Sequence, residues 1–192
     1  YVDTLGLGST ILIYQEDDIC IEPIIYGFTI QNGVGTYVQR PGEEQLIRLG
    51  GGILFDVSNP TIRYNQFLSN GSTSVREGGA IYGTTEDEDW AFDNIPTNYF
   101  DSIVNTMRCD IEEFDFTNNL YNSNDALYGN DFANKGFEYE FDMSKSIFNV
   151  ANCGLEEVSA VYIYVEPEAE VDLTDIESNL CATTASDVYV DP

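Results

Sequence analysis

Between residues 50 and 83 the chain repeats itself. Gly50-Gly51-Gly52-Ile53 and Gly78-Gly79-Ala80-Ile81 are two copies of one turn-and-strand unit, with Ile53 and Ile81 28 positions apart. A period of roughly 20–50 residues marks a solenoid, in which each unit buries its apolar side only by stacking on the next. The segment between the copies is strand-rich and punctuated by Asn. These runs are three to five residues long, which suits short parallel strands better than a sandwich.

The strand pattern extends outward from this stretch. Residues 10–14 read as a strand, and residues 19–30 as two short strands bent at Pro23. Gln31-Asn32-Gly33 forms a turn, because Asn and Gly tolerate positive φ. Insertions are expected at 34–49 and 84–108, leaving the stack from one side. Pro60 opens a strand over 61–64, and Ala126-Leu127-Tyr128-Gly129 aligns with Ala80-Ile81-Tyr82-Gly83 as a third copy. Residues 141–150 echo 55–62, and in 161–166 Val161, Ile163 and Val165 alternate with Tyr162, Tyr164 and Glu166. The 192 residues form one domain, all-β, with irregular loop insertions.

Charge narrows the partners. Seven Lys plus Arg against 34 Asp plus Glu leave a net −27, with no His. Such a surface repels nucleic-acid phosphates and anionic lipid. No apolar run approaches the ~18 residues of a membrane span. Like charges in register on stacked strands sit ~4.8 Å apart, and each pair costs about 1 kcal/mol even in water. Calcium or a saline medium would relieve that cost, and a solvated acidic coat accounts for the same composition. Glu86, Asp87, Glu88 and Asp89 supply hard oxygen ligands for calcium, although their spacing is that of no EF-hand. No cofactor is required.

The four cysteines contain no C-x-x-C pair, and without His a zinc site is disfavoured. Cys153 and Cys181 are 28 positions apart, one repeat, and are the preferred disulfide, with Cys20 and Cys109 as the remaining pair. Disulfides imply an oxidising compartment, hence an extracellular or cell-surface location. The chain starts at Tyr1 without an initiator Met, which reads as a processed piece or a segment of a longer secreted protein.

The alternation of Gly78-Gly79-Ala80-Ile81 and Gly50-Gly51-Gly52-Ile53 with Phe67-Leu68-Ser69-Asn70 and Phe116-Thr117-Asn118-Asn119 resembles the repeats of right-handed parallel β-helix proteins, including bacterial polymorphic outer-membrane adhesins. The 27–33 and 58–62 segments are similar to repeats of pectate-lyase-like solenoids. The resemblance implies a right-handed parallel β-helix in which Phe67, Asn70, Ile81, Phe116 and Asn119 build the scaffold. It also implies a fold that hosts polysaccharide lyases and glycosidases, but fold alone is a poor guide to activity.

Without His, Ser-His-Asp and Cys-His systems are excluded. Arg63, Arg76, Lys135 and Lys145 are the cations from which a lyase base would be drawn, and none sits in a recognisable lyase motif. The expected function is therefore a noncatalytic structural or adhesive module that stacks end to end with itself or with neighbouring domains. Trp90, Tyr82, Tyr128, Tyr162 and Tyr164 are the aromatics expected to meet glycans or host surface proteins. The alternative is a polysaccharide-binding or polysaccharide-degrading domain.

Overall fold

A computed structural model describes residues 8–14, 20–38, 45–84, 111–149, 162–165, 169–178 and 188–190. Its named elements are all short β-strands. In chain order they are β1 (Ile11–Tyr14), β2 (Ile24–Tyr26), β3 (Thr29–Gln31), β4 (Thr36–Val38), β5 (Ile47–Leu49), β6 (Ile53–Asp56), β7 (Thr61–Arg63), β8 (Gln66–Leu68), β9 (Val75–Glu77), β10 (Ile81–Thr84), β11 (Glu113–Asp115), β12 (Leu120–Asn122), β13 (Phe132–Lys135), β14 (Glu140–Asp142), β15 (Ile147–Asn149), β16 (Ile163–Val165), β17 (Glu170–Asp172), β18 (Glu177–Ser178) and β19 (Val188–Val190). Among the described residues no helix is long and apolar enough to cross a membrane.

The strands recur in a cycle of three positions. The first position forms a six-stranded sheet in the order β1-β6-β10-β13-β16-β19, and the third a five-stranded sheet β18-β15-β12-β8-β3. The second position is divided between β2-β7 and β11-β14-β17. Every pairing within these four sheets is parallel. The protein is thus all-β with stacked parallel sheets, an arrangement compatible with a β-helix.

The pairings correct two of the sequence alignments. Ile53 pairs with Ile81, as the repeat predicts, but Ile81 pairs with Phe132 and not with Leu127. Tyr128 bridges Glu77, and Gly78 N–H donates to the Tyr128 carbonyl. The third copy of the turn is therefore Gly129-Asn130-Asp131-Phe132. Gly50, Gly78 and Gly129 share φ of 60°, 68° and 62°, a left-handed corner where a Cβ on Gly78 would lie 2.4 Å from the Ile81 carbonyl oxygen. Likewise Phe141 pairs with Phe114 rather than matching Phe55.

Side chains alternate along each strand, so the central residue of a second- or third-position strand points inward. Phe67, Tyr121 and Phe148 stack as one inner ladder, with centroids 5.2 and 4.8 Å apart and near-parallel rings. Phe114 and Phe141 stack at 4.7 Å beside Phe55, Phe116, Phe132 and Phe137, all fully buried. Burial of each such ring contributes about 2–3 kcal/mol relative to exposure.

Two buried Asn ladders hold the corners. Asn65 N–H and Nδ2 donate to Asn119 Oδ1 at 2.9 and 3.3 Å, and Asn119 N–H donates to Ser146 Oγ at 3.1 Å. Asn70 and Asn124 repeat the arrangement five residues later.

The insertion expected to leave the stack at 34–49 instead folds back over it. β4 and β5 pair antiparallel, and β5 continues onto β9. Val38, Ile47 and Leu49 pack onto Leu12, Leu54, Tyr82, Ala133 and Tyr164, the outward row of the six-stranded sheet. At β6, β10 and β13 that sheet is consequently buried on both faces. The second expected insertion, 84–108, lies outside the described residues beyond Thr84.

Candidate binding face

The second-position strands leave their outward residues in solvent, and those residues change character along the stack. On β2, Ile25 is buried while Ile24 and Tyr26 are 69% and 55% exposed. In register beside them on β7 are Thr61 and Arg63. Phe28 and Tyr64, 59% and 51% exposed, extend this apolar surface at the corner toward the third sheet. The Tyr26 and Tyr64 rings lie 5.1 Å apart at 50°.

Tyr64 has φ 56°, and the residues at the same corner of other turns are Gly27, Asn118, Lys145 and Asp175, with φ of 75°, 58°, 57° and 56°. A left-handed conformation is unfavourable for a bulky aromatic residue and easy for Gly or Asn.

Arg63 Nη1 meets Asp115 Oδ2 at 3.1 Å, which joins the aromatic end of this face to an acidic end. On β11, β14 and β17 the outward rows are Glu113-Glu140-Glu170 and Asp115-Asp142-Asp172, in register. Thr117 and Thr174 each donate through backbone N–H and hydroxyl to Asp115 and Asp172, and Ser144 donates its N–H to Asp142. Those bonds hold the Asp172 carboxyl below its ordinary range. Glu140 is pushed above its own, first by lost solvation and then by Glu113, Asp172, Glu170 and Asp142 around it. This is the in-register repulsion anticipated from composition. Among the described residues no cluster of three or more acidic or Cys side chains is arranged to hold a metal ion.

The third sheet differs again. Its outward positions on β3, β8, β12 and β15 are Thr29, Gln31, Gln66, Leu68, Leu120, Asn122, Ile147 and Asn149, none of them charged. In a chain of net charge −27 this is a neutral strip adjoining Phe28 and Tyr64.

The expected contact residues fare unevenly. Tyr82 is fully buried beneath the β4–β5 hairpin, so its expected place on an exposed face is corrected. Tyr128 is exposed and its ring lies 5.3 Å from Tyr164, which is half-buried at the end of the covered row. Tyr162 packs against the main core. Trp90 and Glu86, Asp87, Glu88 and Asp89 lie outside the described residues, as do Cys109, Cys153 and Cys181. Cys20 is half-buried against the core and is not a free thiol. Arg63, Arg76 and Lys135 stand on β7, β9 and β13 and Lys145 in the β14–β15 turn, so they do not share one element.

The aromatic corner escaped the sequence reading because Ile24, Ile25 and Tyr26 form an unbroken apolar run. Placing the bend at Gly27 rather than Pro23 would have put Ile25 and Ile30 inside and Ile24 and Tyr26 outside. No protein-family model, curated protein or solved structure matches this chain.

Proposed function

We propose that the chain is a right-handed parallel β-helix serving as a noncatalytic structural or adhesive module at the cell surface or outside the cell. The observation that carries this reading is the six-stranded parallel sheet, whose members keep their register from one turn of the chain to the next. Parallel strands joined by crossovers within one sheet are right-handed in the great majority of proteins, which supports the handedness. A stack of this kind is stiff, because each turn is braced by its neighbours through backbone ladders and aromatic stacks.

Disulfides Cys153–Cys181 and Cys20–Cys109 would staple the stack in an oxidising compartment. β1 and β19 bound the six-stranded sheet among the described residues, and strand edges are templates for further pairing, which favours end-to-end assembly. Calcium would act by relieving repulsion between acidic rows at such junctions. The alternative, a polysaccharide-binding or polysaccharide-degrading domain, gains from the aromatic corner on its binding half.

Negative-stain imaging of the purified chain, first with calcium and then with chelator, tests the reading. Ordered filaments or end-to-end rods that dissociate on chelation are expected. Isolated single particles in both conditions would overturn end-to-end assembly.

A further inference from the structure

We infer that the corner formed by Ile24, Tyr26, Phe28 and Tyr64 is a binding site for an uncharged sugar chain. The inference rests on the reading of the chain as an adhesive module and names what it adheres to. Four large apolar side chains, each more than half exposed, lie along β2 and at the corner that follows it, where the Tyr26 and Tyr64 rings are in contact. Folding does not call for a ring at position 64. At the same corner of other turns stand Gly27, Asn118, Lys145 and Asp175, and Tyr64 holds its ring beside Tyr26 from a left-handed backbone that Gly would adopt more easily.

Size and charge select the occupant. The four side chains offer roughly 400 Å² of apolar surface, taking about 150–250 Å² for a whole aromatic side chain. That falls short of the ~800 Å² per partner of a stable protein interface, and it is the scale of a functional patch. A second copy of this chain laid against this outward face, rather than stacked on its end, would bring another −27 toward the corner. The apolar C–H face of a sugar ring fits a tyrosine face, while its hydroxyls need neutral donors and acceptors alongside. Thr29 and Gln66, paired in register and both exposed, provide them on the uncharged outward strip of β3 and β8 next to Phe28 and Tyr64. On the other side Asp115 neutralises Arg63, and beyond it lie the carboxylate rows. An anionic polysaccharide is therefore repelled, and a neutral chain extends onto the third sheet.

Native affinity electrophoresis of the full chain tests this, in gels containing xyloglucan, galactomannan, arabinoxylan or mixed-linkage β-glucan, with polygalacturonate as the anionic comparison. Retardation in at least one neutral gel is expected, weakened roughly 10-fold by Tyr26→Ala or by Tyr64→Gly and unchanged by Tyr128→Ala. Tyr64→Gly suits the left-handed corner, so its melting temperature is expected to match or exceed that of the parent. No retardation in any neutral gel overturns the inference. So does retardation that neither corner variant weakens, or equal retardation by polygalacturonate. Filaments or end-to-end rods seen in the same sample by negative stain leave the module reading standing when the sugar site fails.

Discussion

Asn70 donates from both its backbone N–H and its side-chain amide to Oδ1 of Asn124, at 3.0 and 3.1 Å. The same Asn70 amide reaches the Ile30 carbonyl at 2.8 Å, and its Oδ1 accepts from Gly33 N–H at 3.2 Å. One side chain thus ties together three consecutive turns of the stack. Asn70→Ala leaves buried groups of Ile30, Gly33 and Asn124 short of partners, and each such group costs about 1–3 kcal/mol. The expected loss is about 2–4 kcal/mol, seen as a lower urea midpoint. Gln31→Ala, on an exposed position of β3, is expected to stay within about 0.5 kcal/mol.

Gly83 tests how tightly the main core is filled. Its β10 position faces inward beside Phe55, and an added Cβ would lie 2.2 Å from the tip of that ring. Phe55 cannot swing aside, because Phe114, Phe116 and Phe137 surround it with centroids 5.5–5.8 Å away. Gly83→Ala is expected to cost about 1–3 kcal/mol by overpacking. The Gly83→Ala, Phe55→Leu double variant should recover part of that loss, read from paired denaturation curves.

The acidic rows predict a salt-dependent effect of the opposite sign. Glu140 is the centre of the outward row Glu113-Glu140-Glu170, with Asp142 and Asp172 also acting on it. Glu140→Gln removes repulsion, so the melting temperature should rise in low salt. At ~1 M NaCl, where screening acts over ~3 Å, the difference should vanish. Equal melting temperatures at low salt would show that the rows are fully screened by solvent.

Asp131 couples stability to pH. Its carboxyl is buried where β12 leads into β13, and burial pushes its pKa up to about 7 although Asn124 Nδ2 donates to it at 3.0 Å. The hydroxyls of Tyr121 and Tyr162 are in turn raised by burial and by Asp131, and stay neutral across this range. A raised acid keeps its proton in the folded chain after the unfolded chain has lost its own. Stability from this group is therefore full below about pH 4, declines as pH rises to about 7, and is level above. The decline amounts to about 4 kcal/mol at most. Asp131→Asn keeps the acceptor for Asn124 and should flatten this part of the wild-type curve, measured as the difference in urea midpoints from pH 4 to 8.

Much of the architecture was legible because its cause is local. The Gly-Gly-x-Ile units place Ile53 and Ile81 in register, since the left-handed glycine corner and the strand that follows it belong to the same few residues. The motif with Asn three positions after an aromatic was harder to read. Phe67 and Asn70 align with Tyr121 and Asn124, whereas Phe116 and Asn119 belong to the other ladder, that of Ile62 and Asn65. Two ladders with similar spelling run five residues apart, and only the pairing of strands separates them.

The remaining features depend on what is brought over a surface from elsewhere in the chain. Alternation alone puts Tyr82 and Tyr26 on outward positions of their strands, and both read as aromatic residues in short strands. Tyr82 lost its solvent because the β4–β5 hairpin packs over the six-stranded sheet, while nothing among the described residues covers Tyr26 in the same way. Period, strand direction and the crowding of acidic rows follow from residue order, since they arise from backbone geometry repeated at short range. Which faces are buried, neutral or open is set by long-range packing, because a side chain's exposure depends on segments far away in sequence.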